Sequence, residues 1–271
     1  MSVDQGFVNV AKYIIKKTPI GHLGKSLENL RSVVGEQVMD TNDVKKEIHN
    51  YGETHLSAVK NDVTNSKVVI SPLTKDAEGF YYDQGQKVKF KIGLESGAVE
   101  EAQTTEVQNE LRDAIEEKVK QYLQKCYVME EVTKYNVYFD SGANKIVVLI
   151  SAHNLNLKSF WSGEWLSTWE LSINGNQIKG TLRANTYYYE EGNIQFSLDT
   201  KFNGNATGGD SAAIANSLVE FIKTSENSVQ LELEKVYDEL SENYIKPLRR
   251  KLPVTGTKMN WNINQLNLAQ Q

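Results

Sequence analysis

Cysteine is almost missing from this chain: Cys126 is the only one in 271 residues. One thiol excludes an internal disulfide and a cysteine-ligated zinc cluster, and it suits a reducing compartment such as the cytoplasm. Proline is scarce as well. Four prolines and 18 glycines leave no room for a long flexible linker. No window approaches 18 apolar residues, so no membrane-spanning helix is expected. Met1 to Ile20 lacks the cationic-then-apolar pattern of a secretory leader. The sequon Asn205-Ala206-Thr207 is therefore expected to stay idle. The four histidines, His22, His49, His55 and His153, fall on different predicted elements with no metal-ligand spacing. They are expected to be ordinary surface or core histidines, and no metal or other cofactor is expected. There is no phosphate-binding loop, no Gly-x-Ser-x-Gly, and no carboxylate pair that can be placed in a cleft. Nothing positive points to catalysis, and the chain is not expected to be an enzyme.

What is present fits a folded protein of one large domain or two small ones, with 39% hydrophobic and 24% charged residues. The stretch that organises it runs from Gly208 to Trp261. Gly208-Gly209 form a turn, and Asp210 is a good helix N-cap. Apolar residues then recur in steps of three and four through Ile214, Leu218, Phe221, Ile222, Val229, Leu233, Val236, Leu240, Tyr244 and Leu248. A helix from 210 to about 246 would be about 55 Å long, longer than a small domain is wide, so it should serve as a spine. Its charge is lopsided. Asp210 to Glu242 carries eight acids against Lys223 and Lys235, and no acid follows Glu242. Lys246, Arg249, Arg250, Lys251 and Lys258 then make the remaining residues purely basic, on a chain whose net charge is −5. A basic end on an acidic protein points to an acidic partner surface.

Read in order, residues 1–54 predict a helical lobe. One helix spans 4–17 with Phe7, Val10, Ala11, Ile14 and Ile15 on a face and stops before Pro19. A second carries Leu23, Leu27, Leu30, Val33 and Val34, and a third fits Glu36 to Tyr51. Residues 55–128 predict short strands at 56–59, 67–70, 80–82 and 87–92, then a helix from about Thr105 to Tyr127. Residues 129–206 predict an antiparallel meander of about five strands, roughly 132–139, 145–152, 160–173, 177–190 and 193–202. Turn-forming residues lie between the first two strands at Ser141-Gly142-Ala143-Asn144 and between the last three at Asn174-Gly175-Asn176 and Glu191-Gly192-Asn193. The long helix (207–252) should cover one face, and 253–271 form a tail. The fold class is α+β.

Trp161, Trp165 and Trp169 are spaced by even steps, so an unbulged strand points all three the same way. Such a row could bind sugar rings, as in a carbohydrate-binding sheet domain, or fill the layer between sheet and helix; packing is the expected role.

Three segments carry a family resemblance: Phe160-Trp161-Ser162-Gly163-Glu164-Trp165; Tyr188-Tyr189-Glu190-Glu191-Gly192-Asn193; and Leu248-Arg249-Arg250-Lys251-Leu252-Pro253-Val254-Thr255 with Thr257-Lys258 and Trp261. In this order and spacing the chain resembles the F-actin capping protein alpha subunit. The resemblance implies a cytoplasmic, cytoskeletal protein. It would bind the fast-growing barbed end of an actin filament and block subunit gain and loss. It implies actin-binding roles for Lys246, Arg249, Arg250, Leu252 and Lys258, and a weak tail contact through Ile263, Leu266 and Leu268. It also implies a dimer, with a beta subunit or with a second copy, and a conceivable sensitivity to phosphoinositides. No nucleic acid is implied. The chain departs from the family at Gly256, where an arginine is usual, and at Pro247, which should bend the helix.

Overall fold

The computed structural model describes residues 4–61, 64–93, 98–127, 132–190, 194–239 and 242–243. The chain divides into two units, Met1–Ile222 and Lys223–Gln271, and each is described by itself.

The first unit begins with the helical lobe. Helix α1 (Gln5–Lys17) is capped by Asp4, whose carboxylate accepts from Gly6 N at 2.7 Å. Helix α2 (Leu23–Val34) ends at Gly35, which takes the left-handed φ of 83° that releases the chain. The single third helix expected from the sequence is two: α3 (Glu36–Met39) and α4 (Asn42–Thr54). The break falls at Asp40-Thr41, inside a run of Asp, Thr, Asn and Asp. Such side chains compete for backbone hydrogen bonds, and Thr41 Oγ donates to Val38 O at 2.7 Å, closing α3. The buried face of α1 also differs from expectation. Val8, Ala11 and Ile15 enter the lobe core with Leu30, Val38, Met39, Val44 and Tyr51, whereas Phe7, Val10 and Ile14 face outward.

Next come two small sheets, a hairpin of β1 (Ala58–Asn61) and β2 (Ser66–Val69), and a three-stranded sheet of β3 (Tyr81–Asp83), β4 (Val88–Ile92) and β5 (Val99–Thr104). Strand β4 buries Val88 and Phe90 and lays Lys89 and Lys91 over the Phe80 ring, each 4.4 Å from its centre. Strand β5 was not foreseen. Its Glu100, Glu101 and Gln103 have weak strand preference, and tertiary pairing with β4 overrides it. Helix α5 (Glu110–Cys126) starts later than the expected Thr105, at the Asn109 cap, whose side chain accepts from Arg112 N.

The main sheet is the expected meander: β6 (Thr133–Asp140), β7 (Lys145–Asn156), β8 (Trp161–Ser172), β9 (Gln177–Tyr188) and β10 (Ile194–Asn205), in spatial order β10-β9-β8-β7-β6. Both faces are covered at its centre. One face sends Ile146, Val148, Ile150, Trp169, Leu171 and Ile178 against α5 and the start of helix α6 (Ser211–Glu239), with Leu218 and Ile222 among its contacts. The other sends Val147, Leu149 and Leu166 against Leu56 and Val69. A strand buried on both sides reads as the continuous apolar run Ile146–Ile150.

In the second unit, α6 continues from Lys223 to Glu239, so the expected spine is present through that point. Of the rest of the predicted helix, Leu240, Tyr244 and Leu248 lie outside the described residues, and only residues 242–243 are described.

Candidate functional site

Helix α6 opens as its cap dictates: Asp210 accepts from Ala213 N at 2.7 Å through its side chain and from Ile214 N at 3.0 Å through its carbonyl. Its apolar stripe is buried at Leu218, Ile222 and Val229, and then changes character. On that stripe Val236 is 40% exposed and Tyr237 50%, and Leu231, on the opposite side of the helix, is 58% exposed.

The two sheet edges are treated differently. On β6 the Gln84 side chain acts as a surrogate strand. Its amide donates to Phe139 O at 2.9 Å, and its oxygen accepts from Phe139 N at 2.7 Å. Asn136 Nδ2 donates to Val69 O and Tyr82 O, tying β6 to β2 and β3. The far edge, β10, pairs only with β9 among the described residues, over 12 residues from Ile194 to Asn205. A long unpaired edge is a template for another strand.

The tryptophan row keeps its common direction but not its exposure. Trp169 is fully buried, stacked on Phe202 at 5.6 Å and meeting Phe221 edge-on at 5.9 Å. Trp161 and Trp165 are half-buried. A ring sealed beneath two phenylalanines offers no face to a sugar, so the carbohydrate-binding alternative loses its three-ring platform.

The histidines were expected to be unrelated. Instead all four gather where the helical lobe meets the strands. His22, before α2, packs edge-on against Tyr187 and Tyr189. His49 of α4 lies 2.6 Å from Tyr81 Oη and 3.6 Å from Glu53. His55, just after α4, lies 2.7 Å from Glu164 Oε2, and His153 of β7 donates from Nε2 to His55 O at 2.9 Å. Burial by itself raises the Glu53 carboxyl, but hydrogen bonds from His49 and Tyr81 and the nearby Lys75 ammonium overcome it and hold the group down at about 2. Burial opposes the Glu164 charge likewise, and the His55 and Asn185 contacts win, lowering it. No spacing signal marks this grouping in the sequence, because the four residues lie on separate elements. Among the described residues no three His, Cys, Asp or Glu side chains are arranged to hold a metal, and no helix is long and apolar enough to cross a membrane.

A family model described as F-actin capping protein alpha subunit matches residues 11–271, nearly the whole chain. This chain belongs to that family. The F-actin-capping protein subunit alpha of Neurospora crassa is 26% identical over 254 residues, covering 93% of this chain and 91% of its own. The Arabidopsis thaliana subunit is 25% identical over 281 residues, covering 97% and 91%. The solved structure of a homodimeric actin capping protein alpha subunit from Plasmodium berghei superposes with a TM-score of 0.76 at 20% identity, covering 92% of this chain and 98% of that one. At that identity the likeness is one of fold: N-terminal helices, a five-stranded antiparallel sheet and a long C-terminal helix.

The capping-protein alpha residues expected to bind actin, Lys246, Arg249, Arg250, Leu252 and Lys258, lie outside the described residues, as do Ile263, Leu266, Leu268, Pro247 and Gly256. The described part of the second unit contributes the acidic helix that precedes them, with Glu232, Glu234, Asp238 and Glu239 exposed.

Proposed function

We propose that this chain is an actin-capping subunit that binds the filament barbed end through its basic C-terminal segment and blocks subunit addition and loss there. The observation that carries the reading is the family match, which extends through residue 271 and so includes that segment. Charge supports it. The cations follow the acidic run of α6 with no acid among them, so the segment itself presents positive charge alone to an acidic actin surface. In this reading Lys246, Arg249, Arg250 and Lys258 meet acidic side chains of the terminal protomers, and Leu252 supplies an apolar contact beside them. Ile263, Leu266 and Leu268 add a weak contact from the tail. The action is steric, with no bond made or broken.

The subunit works as a dimer in this proposal. The open β10 edge, the outward stripe of α1 at Phe7, Val10 and Ile14, and the exposed Leu231, Val236 and Tyr237 of α6 all want cover. A beta subunit or a second copy would supply it, and the homodimer named for the Plasmodium berghei relative makes the second copy a concrete option. Acidic phosphoinositide headgroups would compete for the same cations, and the site of action is the cytoskeleton.

The test is barbed-end elongation from short filament seeds, with the mass of the purified chain measured on the same sample. Slowed elongation that weakens with added salt is expected. Unchanged elongation at a concentration where the dimer is present would overturn the proposal.

A further inference from the structure

The helical lobe of α1–α4 and the main sheet have separate apolar cores, and a set of polar contacts joins them. Those contacts are built on titratable groups. At the centre, Glu164 has a fully buried side chain. His55 Nδ1 reaches one of its oxygens at 2.7 Å and Asn185 Nδ2 donates to the other at 2.5 Å. His153 Nε2 lies 3.7 Å from the same carboxylate and donates to His55 O at 2.9 Å. Arg183 of β9 donates to Thr54 O at 2.6 Å, and the Tyr51 ring of α4 lies 4.2 Å from the His55 ring. A cavity of about 210 Å³ opens beside Glu164, with Lys16 and Lys17 from the end of α1 among its lining. On one flank, Glu53 of α4 binds His49, Tyr81 and Lys75. On the other, His22 packs on Tyr187 and Tyr189, with Lys25 as its nearby charge. His22, His55 and His153 sit on this seam, and His49 joins the lobe to the small sheet at Tyr81.

We propose that this seam is a proton-operated latch: closed near neutral pH, and loosened when acid charges His153 at its centre and His22 at its flank.

The physical logic is the cost of charging an imidazole away from water. His153 has its Nε2–H already committed to His55 O. Burial lowers its affinity for a proton, and Glu164 recovers only part of that; burial and the neighbouring Lys25 lower His22 in the same way. A depressed histidine keeps its full stabilising effect above the unfolded value of about 6.5 and loses it as pH falls below that. Glu53, held at about 2, and Glu164, lowered from its ordinary 4.5, stay largely charged above pH 4.5. Between roughly pH 6.5 and 4.5 the seam therefore gains positive charge while its carboxylates do not change. The latch does not depend on the chain capping actin, and its test is independent of capping.

The experiment is hydrogen exchange on the full-length chain in its native assembly at pH 7.5 and 5.5, corrected with an unstructured reference peptide. Protection of α4 and of residues 151–156 of β7 should fall at least fivefold more than protection of the central strand residues 146–150. The His153→Gln variant should lose half or more of that pH response. Loss of protection that is uniform across these segments, or a His153→Gln response equal to wild type, would overturn the proposal. Should the variant fail to fold, the imidazole proton resonances of the unsubstituted protein decide: His153 and His22 must titrate below 6.5, and titration of both at or above it sinks the latch.

Discussion

Gly180 of β9 lies directly opposite Trp169 of β8, and a Cβ added there would overlap the indole ring. The strand thus gives up a side chain so that a tryptophan can lie flat against its backbone, between Phe202 and Phe221. Gly180→Ala should destabilise the chain by about 1–3 kcal/mol, the usual cost of overpacking. Urea denaturation read by circular dichroism checks it. A variant within about 0.5 kcal/mol of wild type would mean that the ring moves aside freely.

The same burial sets the fluorescence. Trp169 is sealed, while Trp161 and Trp165 are partly exposed, so in a Trp261→Phe background iodide should quench part of the emission and leave a protected component. Trp169→Phe should remove that component and still fold, because phenylalanine keeps an aromatic ring in the site and deletes a buried indole N–H that has no partner. Full quenching of the unsubstituted protein would place the three rings at the surface and revive a sugar-binding platform.

Glu53 gives an acid-stability signature. Its carboxyl is held at about 2 against an ordinary 4.5. The stabilisation it brings is complete above 4.5 and is lost as the pH falls toward 2, because the unfolded chain takes up the proton first. The shift corresponds to on the order of 2–3 kcal/mol. Glu53→Gln should therefore be less stable than wild type at pH 7, and the two should converge near pH 2. A gap that does not change over that range would show that the effect is packing and not charge.

Most of the architecture could be read from the chain before the structure. The five long strands of the main sheet are bounded by residues such as Asn144, Gly175 and Asn176, which adopt the left-handed backbone that their turns need. The helix from Ser211 is legible because cap and stripe agree. The errors have local causes. The run Asp40-Thr41-Asn42-Asp43 broke a helix whose apolar spacing was otherwise continuous, and β5 formed from acidic residues because β4 offered an edge. Periodicity also failed to choose between two apolar stripes on α1, since Phe7-Val10-Ile14 and Val8-Ala11-Ile15 are equally regular. The histidine seam was illegible for a different reason: it is assembled from long-range contacts, such as His55 with Glu164, that leave no mark in sequence spacing.

The exposed apolar residues of α6 make a prediction about assembly. Leu231→Ser with Tyr237→Ser removes two large surface hydrophobics and should leave the fold of each subunit unchanged. In the proposed dimer it should weaken association at least about tenfold, read as a shift toward monomer in sedimentation equilibrium. An unchanged dissociation constant would mean that the partner covers other surfaces.

The most direct test of the account is the double reversal Arg250→Glu, Lys258→Glu, assayed by elongation of filament seeds at their barbed ends. The variant should keep the mass and circular dichroism of the unsubstituted protein while losing its inhibition of elongation by about tenfold or more in concentration. Inhibition equal to that of the unsubstituted protein would contradict the claim that these cations carry the contact with actin.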